Sequence, residues 1–274
     1  MQVYRGMDIG TAKPSRAERE RLPHHLLDIA DPSQQFSAGE FVRRADELVG
    51  EIRARGKVPV VSGGTGFYLR SFLYGMPEAP KSNPTIRSQL RDLHREHGTP
   101  WLHGLLASRD PEAARRIPEN DQHRTLRALE VLETTGRSVY SFAWPSSPRK
   151  NHEFLVIGLE RPRDELYRRI EARVDHMFQA GLVDEVKRLL GAGFGPQAPG
   201  MRGIGYREFL SMRKGCLGFR EVREMVKADS RRYAKRQLTF LRAIPEVRWF
   251  DAREPGPARE AIAEFLGLQL AAPP

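Results

Sequence analysis

A glycine-rich turn is the first place in this sequence where residue types suggest chemistry. Residues 62–66 read Ser-Gly-Gly-Thr-Gly and follow the apolar run at 58–61. Glycines at the carboxyl end of a strand let backbone N–H groups approach a ligand, and a helix that starts there favours an anion. Thr65 adds a hydroxyl at the same place. The motif matches neither the dinucleotide fingerprint nor the P-loop, so a tight turn without a ligand stays an equal alternative.

Two pairs of arginines are spaced so that each pair lies on one face of a helix. Arg124 and Arg127 are three residues apart, and Arg169 and Arg173 are four apart. The guanidinium fork suits phosphate oxygens. Glutamates lie close to each pair in the sequence, so surface salt bridges are the favoured alternative for either pair taken alone.

The positive charge of the chain is concentrated in one region. The 274 residues include 45 Lys and Arg against 35 Asp and Glu, a net charge of +10, and residues 201–250 hold 13 basic and 5 acidic residues. Four basic residues repeat there at every fourth position, Arg223, Lys227, Arg231 and Lys235. Such a stripe on one helix favours a phosphate backbone as the partner, and a solvated helix face is the alternative.

The composition excludes several other classes of protein. No apolar run approaches the roughly 20 residues of a bilayer span, and the first ten residues are not a signal peptide. A single cysteine, Cys216, excludes an internal disulfide framework and a Cys-based zinc site. His24 and His25 are adjacent and lack the spacing of a helical metal site. We therefore expect a cytoplasmic protein without a membrane partner, without metal-ligating residues of its own, and with an inert Cys216.

Short apolar segments alternate with helical patterns along the chain. The predicted strands cover residues 57–62, 154–159 and 247–250. The predicted helices include 36–55, with Ser37 as its N-cap, and a helix that starts at residues 120–121 and stops at Gly136. This alternation predicts an α/β fold with a parallel sheet. Residues 162–240 have almost no strand pattern and predict a helical insertion.

Six motifs in one order make the chain similar to the tRNA dimethylallyltransferases. They are residues 1–16 (MQVYRGMDIGTAKPSR), 23–28 (PHHLLD), 61–69 (VSGGTGFYL), 120–130, 201–207 (MRGIGYR) and 235–242 (KRQLTFLR). The resemblance implies transfer of a dimethylallyl group from dimethylallyl diphosphate to N6 of the adenosine 3′ of the anticodon. The implied partner is the tRNA anticodon stem-loop, and we expect a monomer.

The same resemblance implies a fold and a set of site residues. We expect a P-loop kinase-like α/β core over 1–160 and 236–274, with a helical tRNA-binding insertion over 161–235. Thr65, Arg169 and Arg173 are the expected catalytic residues: the threonine positions the adenosine, and the arginines close over the diphosphate. Gln2 is expected near the flipped-out base. The expected tRNA contacts are Met1, Gln2, Thr65, Arg87, His123, Arg124, Thr125, Leu126, Arg127, Arg202, Gly203, Ile204, Gly205, Tyr206, Arg207, Lys235, Arg236, Gln237 and Arg242.

The sequence differs from the family pattern at its start. The family has a Gly-x-x-x-x-Gly-Lys-[Ser/Thr] loop that holds the diphosphate and Mg²⁺, and an Asp that acts on the amine proton; neither occurs here. We therefore expect a late-called start or a truncation, with the first strand and P-loop missing. Mg²⁺ is implied as the cofactor without its usual ligand, and the chain as written is expected not to transfer the group. The alternatives are a non-catalytic RNA-binding remnant and a small-molecule kinase.

Overall fold

Local capping signals fix two of the long helices where the sequence predicts them. The computed structural model describes residues 1–212 and 218–268, so Cys216 lies outside the described residues. The Ser37 hydroxyl accepts a hydrogen bond from the Glu40 amide at 3.1 Å and begins the second helix. Gly136 ends the sixth helix in the left-handed conformation at φ 68°, which glycine adopts without strain.

Eleven helices and two strands make up the described part of the chain. In chain order they are α1 (Arg16–Arg21), α2 (Ala38–Ala54), α3 (Gly66–Tyr74), α4 (Pro84–Arg109), α5 (Pro111–Arg116), α6 (Gln122–Thr135), β1 (Val156–Glu160), α7 (Arg163–Gln179), α8 (Leu182–Gly191), α9 (Arg207–Met212), α10 (Phe219–Arg242), β2 (Val247–Asp251) and α11 (Pro255–Leu266). None of these helices combines the length and the apolar composition of a membrane span.

The two strands form a parallel pair. Val156 lies opposite Val247 and Glu160 lies opposite Asp251. The strands predicted at 154–159 and 247–250 are therefore confirmed within two residues, and the helices between them create the crossover that a parallel pair requires. The chain is an α/β protein in which helices predominate.

The prediction of a strand at residues 57–62 is wrong. The segment forms no strand and no ladder pairing with any described residue, and Val58 and Val60 are 57% and 82% exposed. A β-branched run becomes a strand only where a neighbour supplies hydrogen-bonding partners. No described residue pairs with this segment, so its apolar side chains stay in solvent.

The chain divides into two compact units. Unit 1 comprises Met1–Phe72 and Asn151–Pro274, and unit 2 is Leu73–Lys150. The predicted boundaries at 160 and 236 do not coincide with this division, because the helices of 161–235 are in the same unit as β1 and β2. In unit 1 the main apolar core surrounds Leu182 and Tyr206; in unit 2 it surrounds Leu102 and Leu129.

Candidate active site

The Ser-Gly-Gly-Thr-Gly turn is fixed against α10. Gln237 donates a hydrogen bond from Nε2 to the Gly64 carbonyl at 2.7 Å. A β-carbon at Gly64 would lie 1.9 Å from that same nitrogen, and one at Gly66 would lie 2.3 Å from the Phe240 ring. The Gln237 amide is the end of a flexible side chain and could move, whereas the Phe240 ring leaves no room for a β-carbon at Gly66. Thr65 is exposed between them, directly before the first residue of α3.

A basic groove lies on α10 next to this turn. It has a volume of about 480 Å³ and is lined by Arg232, Lys235, Arg236, Thr239 and Phe240. Lys235 and Arg236 are exposed, and neither forms an ion pair with any described residue. The groove therefore offers two uncompensated cations to an anionic ligand.

The predicted basic stripe of α10 is for the most part not a free surface. Arg231 binds Glu171 of α7 at 2.5 Å, and Lys227 binds Asp175 of α7 at 2.8 Å. The hydrogen bond with Asp175 raises the pKa of Lys227. Arg223 lies 3.7 Å from the same carboxylate. These three residues join α10 to α7 through ion pairs, so they are neither free for a phosphate backbone nor a simple solvated helix face.

Other predicted cations of unit 1 differ in whether a carboxylate compensates them. Arg169, Arg173 and Arg202 are exposed and have no ion pair among the described residues. Arg207, in contrast, binds Asp229 at 2.6 Å, and Arg242 binds Glu160 at 2.9 Å. The first three are thus available to phosphate oxygens without breaking an existing pair.

The amino-terminal motif forms a loop held by its own side chains. Gln2 donates from Nε2 to the carbonyl oxygens of Thr11 and Ala12 at 3.1 and 2.9 Å. Lys13 is buried, and its Nζ lies 2.6 Å from both Asp8 and Asp28. This ammonium therefore pairs with two carboxylates and joins the amino-terminal motif to the 23–28 motif.

Met1 and the 201–207 motif are in contact. A β-carbon at Gly203 would lie 2.6 Å from the Met1 methyl, so Met1 packs directly on this glycine. Ile204 is half-buried against the core of unit 1. The two motifs, which are 200 residues apart in sequence, thus form one continuous surface.

A carboxylate that the sequence analysis did not select lies beneath both motifs. Glu185 of α8 accepts hydrogen bonds from backbone amides of the 8–10 loop and from the Tyr206 hydroxyl. Burial raises the pKa of the Tyr206 phenol, and the neighbouring Glu185 carboxylate raises it further. The available signal was its position on the apolar face of an amphipathic helix, between Leu182 and Leu189, where a carboxylate needs partners.

In unit 2, a second buried carboxylate holds two of the predicted RNA-contacting arginines. Glu130 of α6 is 1% exposed; Oε2 lies 3.2 Å from Arg87 and 3.3 Å from Arg127. Its other oxygen accepts from the Ser82 hydroxyl at 2.5 Å and the Asn83 amide at 2.7 Å. Both arginines keep part of their side chains in solvent, so Glu130 orients them without burying them completely.

Four predicted RNA contacts are buried, and this argues against direct contact with RNA. Thr125 and Leu126 lie inside unit 2, and Gly205 and Tyr206 lie inside unit 1. Thr125 and Tyr206 are next to the exposed residues Arg124 and Arg207, so a motif identifies the segment without distinguishing its contacting residues from its packing residues. On the same helix as the first pair, Arg124 and His123 are exposed, and Arg124 lies 3.3 Å from Asp121.

The described residues do not fit a metal ion held by protein side chains alone. No three His, Cys, Asp or Glu side chains among them are grouped closely enough to hold one. The groups that the site presents are arginines, lysines, hydroxyls and backbone amides, which bind phosphate oxygens and nucleosides.

Comparisons with known proteins agree on one family. The sequence profile of a family described as IPP transferase matches residues 2–244. The tRNA dimethylallyltransferase of Thermomicrobium roseum is 46% identical over 256 residues, covering 93% of this chain and 77% of the relative. The enzyme of the same name from Geobacter sulfurreducens is 44% identical, covering 92% and 81%.

Solved structures give the same result. The full-length tRNA isopentenylpyrophosphate transferase of Bacillus halodurans superposes with a TM-score of 0.68 at 38% identity, covering 97% of this chain and 86% of that one. A eukaryotic dimethylallyltransferase acting on tRNA superposes with a TM-score of 0.80 at 26% identity, covering 100% and 73%.

Proposed function

This chain belongs to the IPP transferase family, and from that membership we propose that it is a tRNA dimethylallyltransferase. It transfers a dimethylallyl group from dimethylallyl diphosphate to N6 of the adenosine 3′ of the anticodon. The observation that carries the proposal is the turn at 62–66, which Gln237 fixes beside a groove with two uncompensated cations.

The reaction requires stabilisation of a leaving diphosphate. The bond between the allylic carbon and the diphosphate oxygen breaks, and the diphosphate leaves with the electron pair. N6 then supplies the pair for the new C–N bond and loses one proton. Arg169 and Arg173 are the groups that we place over the diphosphate, because they are exposed and form no ion pair with a carboxylate of residues 1–212 and 218–268.

The adenosine must leave its stack to reach the turn. Flipping costs a few kcal/mol, and contacts with the RNA backbone and base offset that cost. We assign the adenosine contact to Thr65, the base-proximal position to Gln2, and backbone contacts to cations that keep at least part of their side chains in solvent. The proposed backbone contacts are Arg87, Arg124, Arg127, Arg202, Arg207, Lys235, Arg236 and Arg242.

Two finer features stay proposals. A P-loop kinase-like core is compatible with the parallel pairing of β1 and β2. It is also compatible with the similarity of the chain to the solved dimethylallyltransferase structure. Mg²⁺ is the ion expected to neutralise diphosphate oxygens in this family. Because the described residues form no metal-holding cluster, no step above depends on it.

A transfer assay tests the proposal. The protein is incubated with radiolabelled dimethylallyl diphosphate and an anticodon stem-loop that carries adenosine at the acceptor position, once as the 274 residues and once with a strand and P-loop of the family pattern added before Met1. The second form is the one expected to transfer the group, because the 274 residues contain no such loop. We expect label in this RNA and none in a stem-loop with guanosine there. Tight binding of both RNAs without transfer would instead support a non-catalytic RNA-binding protein and overturn the proposal.

A further inference from the structure

One buried carboxylate gathers the backbone of the amino-terminal motif. Glu185 is 2% exposed. Its Oε2 accepts from the Asp8 amide at 2.9 Å and the Ile9 amide at 2.8 Å, and its Oε1 accepts from the Gly10 amide at 3.1 Å. Three successive N–H groups converge on one carboxylate, so Glu185 stabilises the conformation of the loop.

The same carboxylate holds the 201–207 motif. The Tyr206 hydroxyl donates to Oε1 at 2.7 Å, and the Tyr206 ring is fully buried. A β-carbon at Gly10 would lie 2.6 Å from this ring, so the loop and the tyrosine are in direct contact. Glu185 is thus the shared anchor of two segments that are far apart in the sequence.

The loop in turn orients Gln2. The carbonyl oxygens of Thr11 and Ala12 accept the Gln2 amide, and the Thr11 hydroxyl donates to the Met7 carbonyl at 2.6 Å. The hydrogen bonds from the preceding amides to Glu185 help to hold these carbonyls toward Gln2. A shift of the 8–10 backbone therefore moves the side chain that the proposed function places near the acceptor base.

We infer that Glu185 is a positioning residue for the transfer reaction: it holds the 8–12 loop, and through it Gln2, in register with the 201–207 segment. The inference rests on the proposed function for its catalytic consequence. Glu185 touches neither substrate; it acts through the loop amides and Tyr206. A displacement of about 1 Å of the loop, and with it of Gln2, lowers turnover by up to about 10²-fold.

Glu185→Gln is the decisive variant. It keeps the side-chain size but replaces one acceptor oxygen by an NH₂ donor, so four converging donors lose an acceptor. We expect kcat to fall by roughly 10 to 10²-fold, with KM for dimethylallyl diphosphate within about twofold of wild type. Hydrogen exchange of the Asp8–Gly10 amides should accelerate at least about tenfold, since their charged acceptor is lost.

Asp184→Asn is the matched control. It removes the neighbouring carboxylate of the same helix, which is exposed and lies 3.4 Å from Lys187. It should leave kcat, KM and loop exchange unchanged. If Glu185→Gln fails to fold, Tyr206→Phe replaces it, because it removes one donor and keeps the ring in the core; kcat should then fall about threefold or more at unchanged melting temperature.

Two results would overturn the inference. One is a folded Glu185→Gln protein whose kcat stays within twofold of wild type. The other is a loss of kcat that equals the loss of folded protein, which would make Glu185 merely structural. An inactive wild-type protein would overturn the proposed function instead, so the two failures are distinguishable.

Discussion

Whether a cation already has a carboxylate partner decides what each basic residue does. On α10, Arg231 is bound to Glu171, whereas Lys235, one turn further, has no ion pair among the described residues. Both belong to the same four-residue repeat, and the sequence gives no reason to separate them. The partner of Arg231 comes from another helix, α7, and is 60 residues away in the chain.

Lys235→Ala and Arg231→Ala should therefore have different effects. Lys235→Ala should weaken anticodon stem-loop binding and reduce the slope of log K against log salt by about 0.7 to 0.9, because one phosphate contact is lost. Arg231→Ala should leave the slope unchanged and lower the free energy of unfolding by about 0.5 to 1 kcal/mol, as for a partly exposed pair. Anisotropy titrations at several salt concentrations and thermal melts measure both quantities. Equal slope changes in the two variants would contradict this assignment.

Substitutions at Thr65 can distinguish a role of its hydroxyl in substrate binding from a role of the residue in the turn. Its side chain is exposed, while its carbonyl accepts from the Tyr68 amide at 2.9 Å whatever the side chain is. Thr65→Val should lower turnover with a melting temperature within about two degrees, since an exposed hydroxyl contributes little to stability. Thr65→Ser keeps the hydroxyl and should retain most activity. An active Thr65→Val protein would leave only the turn role.

At the scale of elements, local signals predict helices better than strands. Ser37 and Gly136 define helix ends within one or two residues, because a cap is satisfied by its own helix. The strand predicted at 57–62 fails for the opposite reason: its β-branched residues are right for a strand, but the hydrogen bonds must come from elsewhere in the chain. The turn that follows it was identified correctly, but its contact with Gln237 and Phe240 of α10 could not be, since those residues are about 170 positions away.

The turn offers a matched pair of glycines for testing its contact with α10. Gly66→Ala places a methyl 2.3 Å from the Phe240 ring, so it should lower the free energy of unfolding by about 1 to 3 kcal/mol and reduce transfer. Gly63→Ala meets nothing within 4 Å and should change stability by less than about 0.5 kcal/mol. Denaturant titration of both variants measures the difference. Equal stabilities would mean that the turn does not press against α10.

At the scale of the whole molecule, the division of the chain into two compact units does not follow the positions of the sequence motifs. The family motifs are spread over both units, so their order identified the family and predicted nothing about where unit 2 begins. Its limits at 73 and 150 depend on contacts among α4, α5 and α6. The kink of α4 at Gly98, where φ is 82°, lies inside unit 2. Buried carboxylates were missed in both units, because a glutamate in an amphipathic helix is usually a surface residue.

The partners of the Glu130 side chain all lie in unit 2, so loss of this carboxylate should act on that unit. Glu130→Ala leaves Arg87, Arg127 and the Asn83 amide without their buried acceptor, at a cost of about 2 to 3 kcal/mol. Hydrogen exchange followed by mass spectrometry should show lost protection in α4, α5 and α6, with α7, α8 and α10 unchanged. Glu112→Ala, which removes an exposed carboxylate of the same unit, should change protection little. A uniform loss across both units would show that they unfold as one cooperative body, and the division at residues 73 and 150 would then have no energetic meaning.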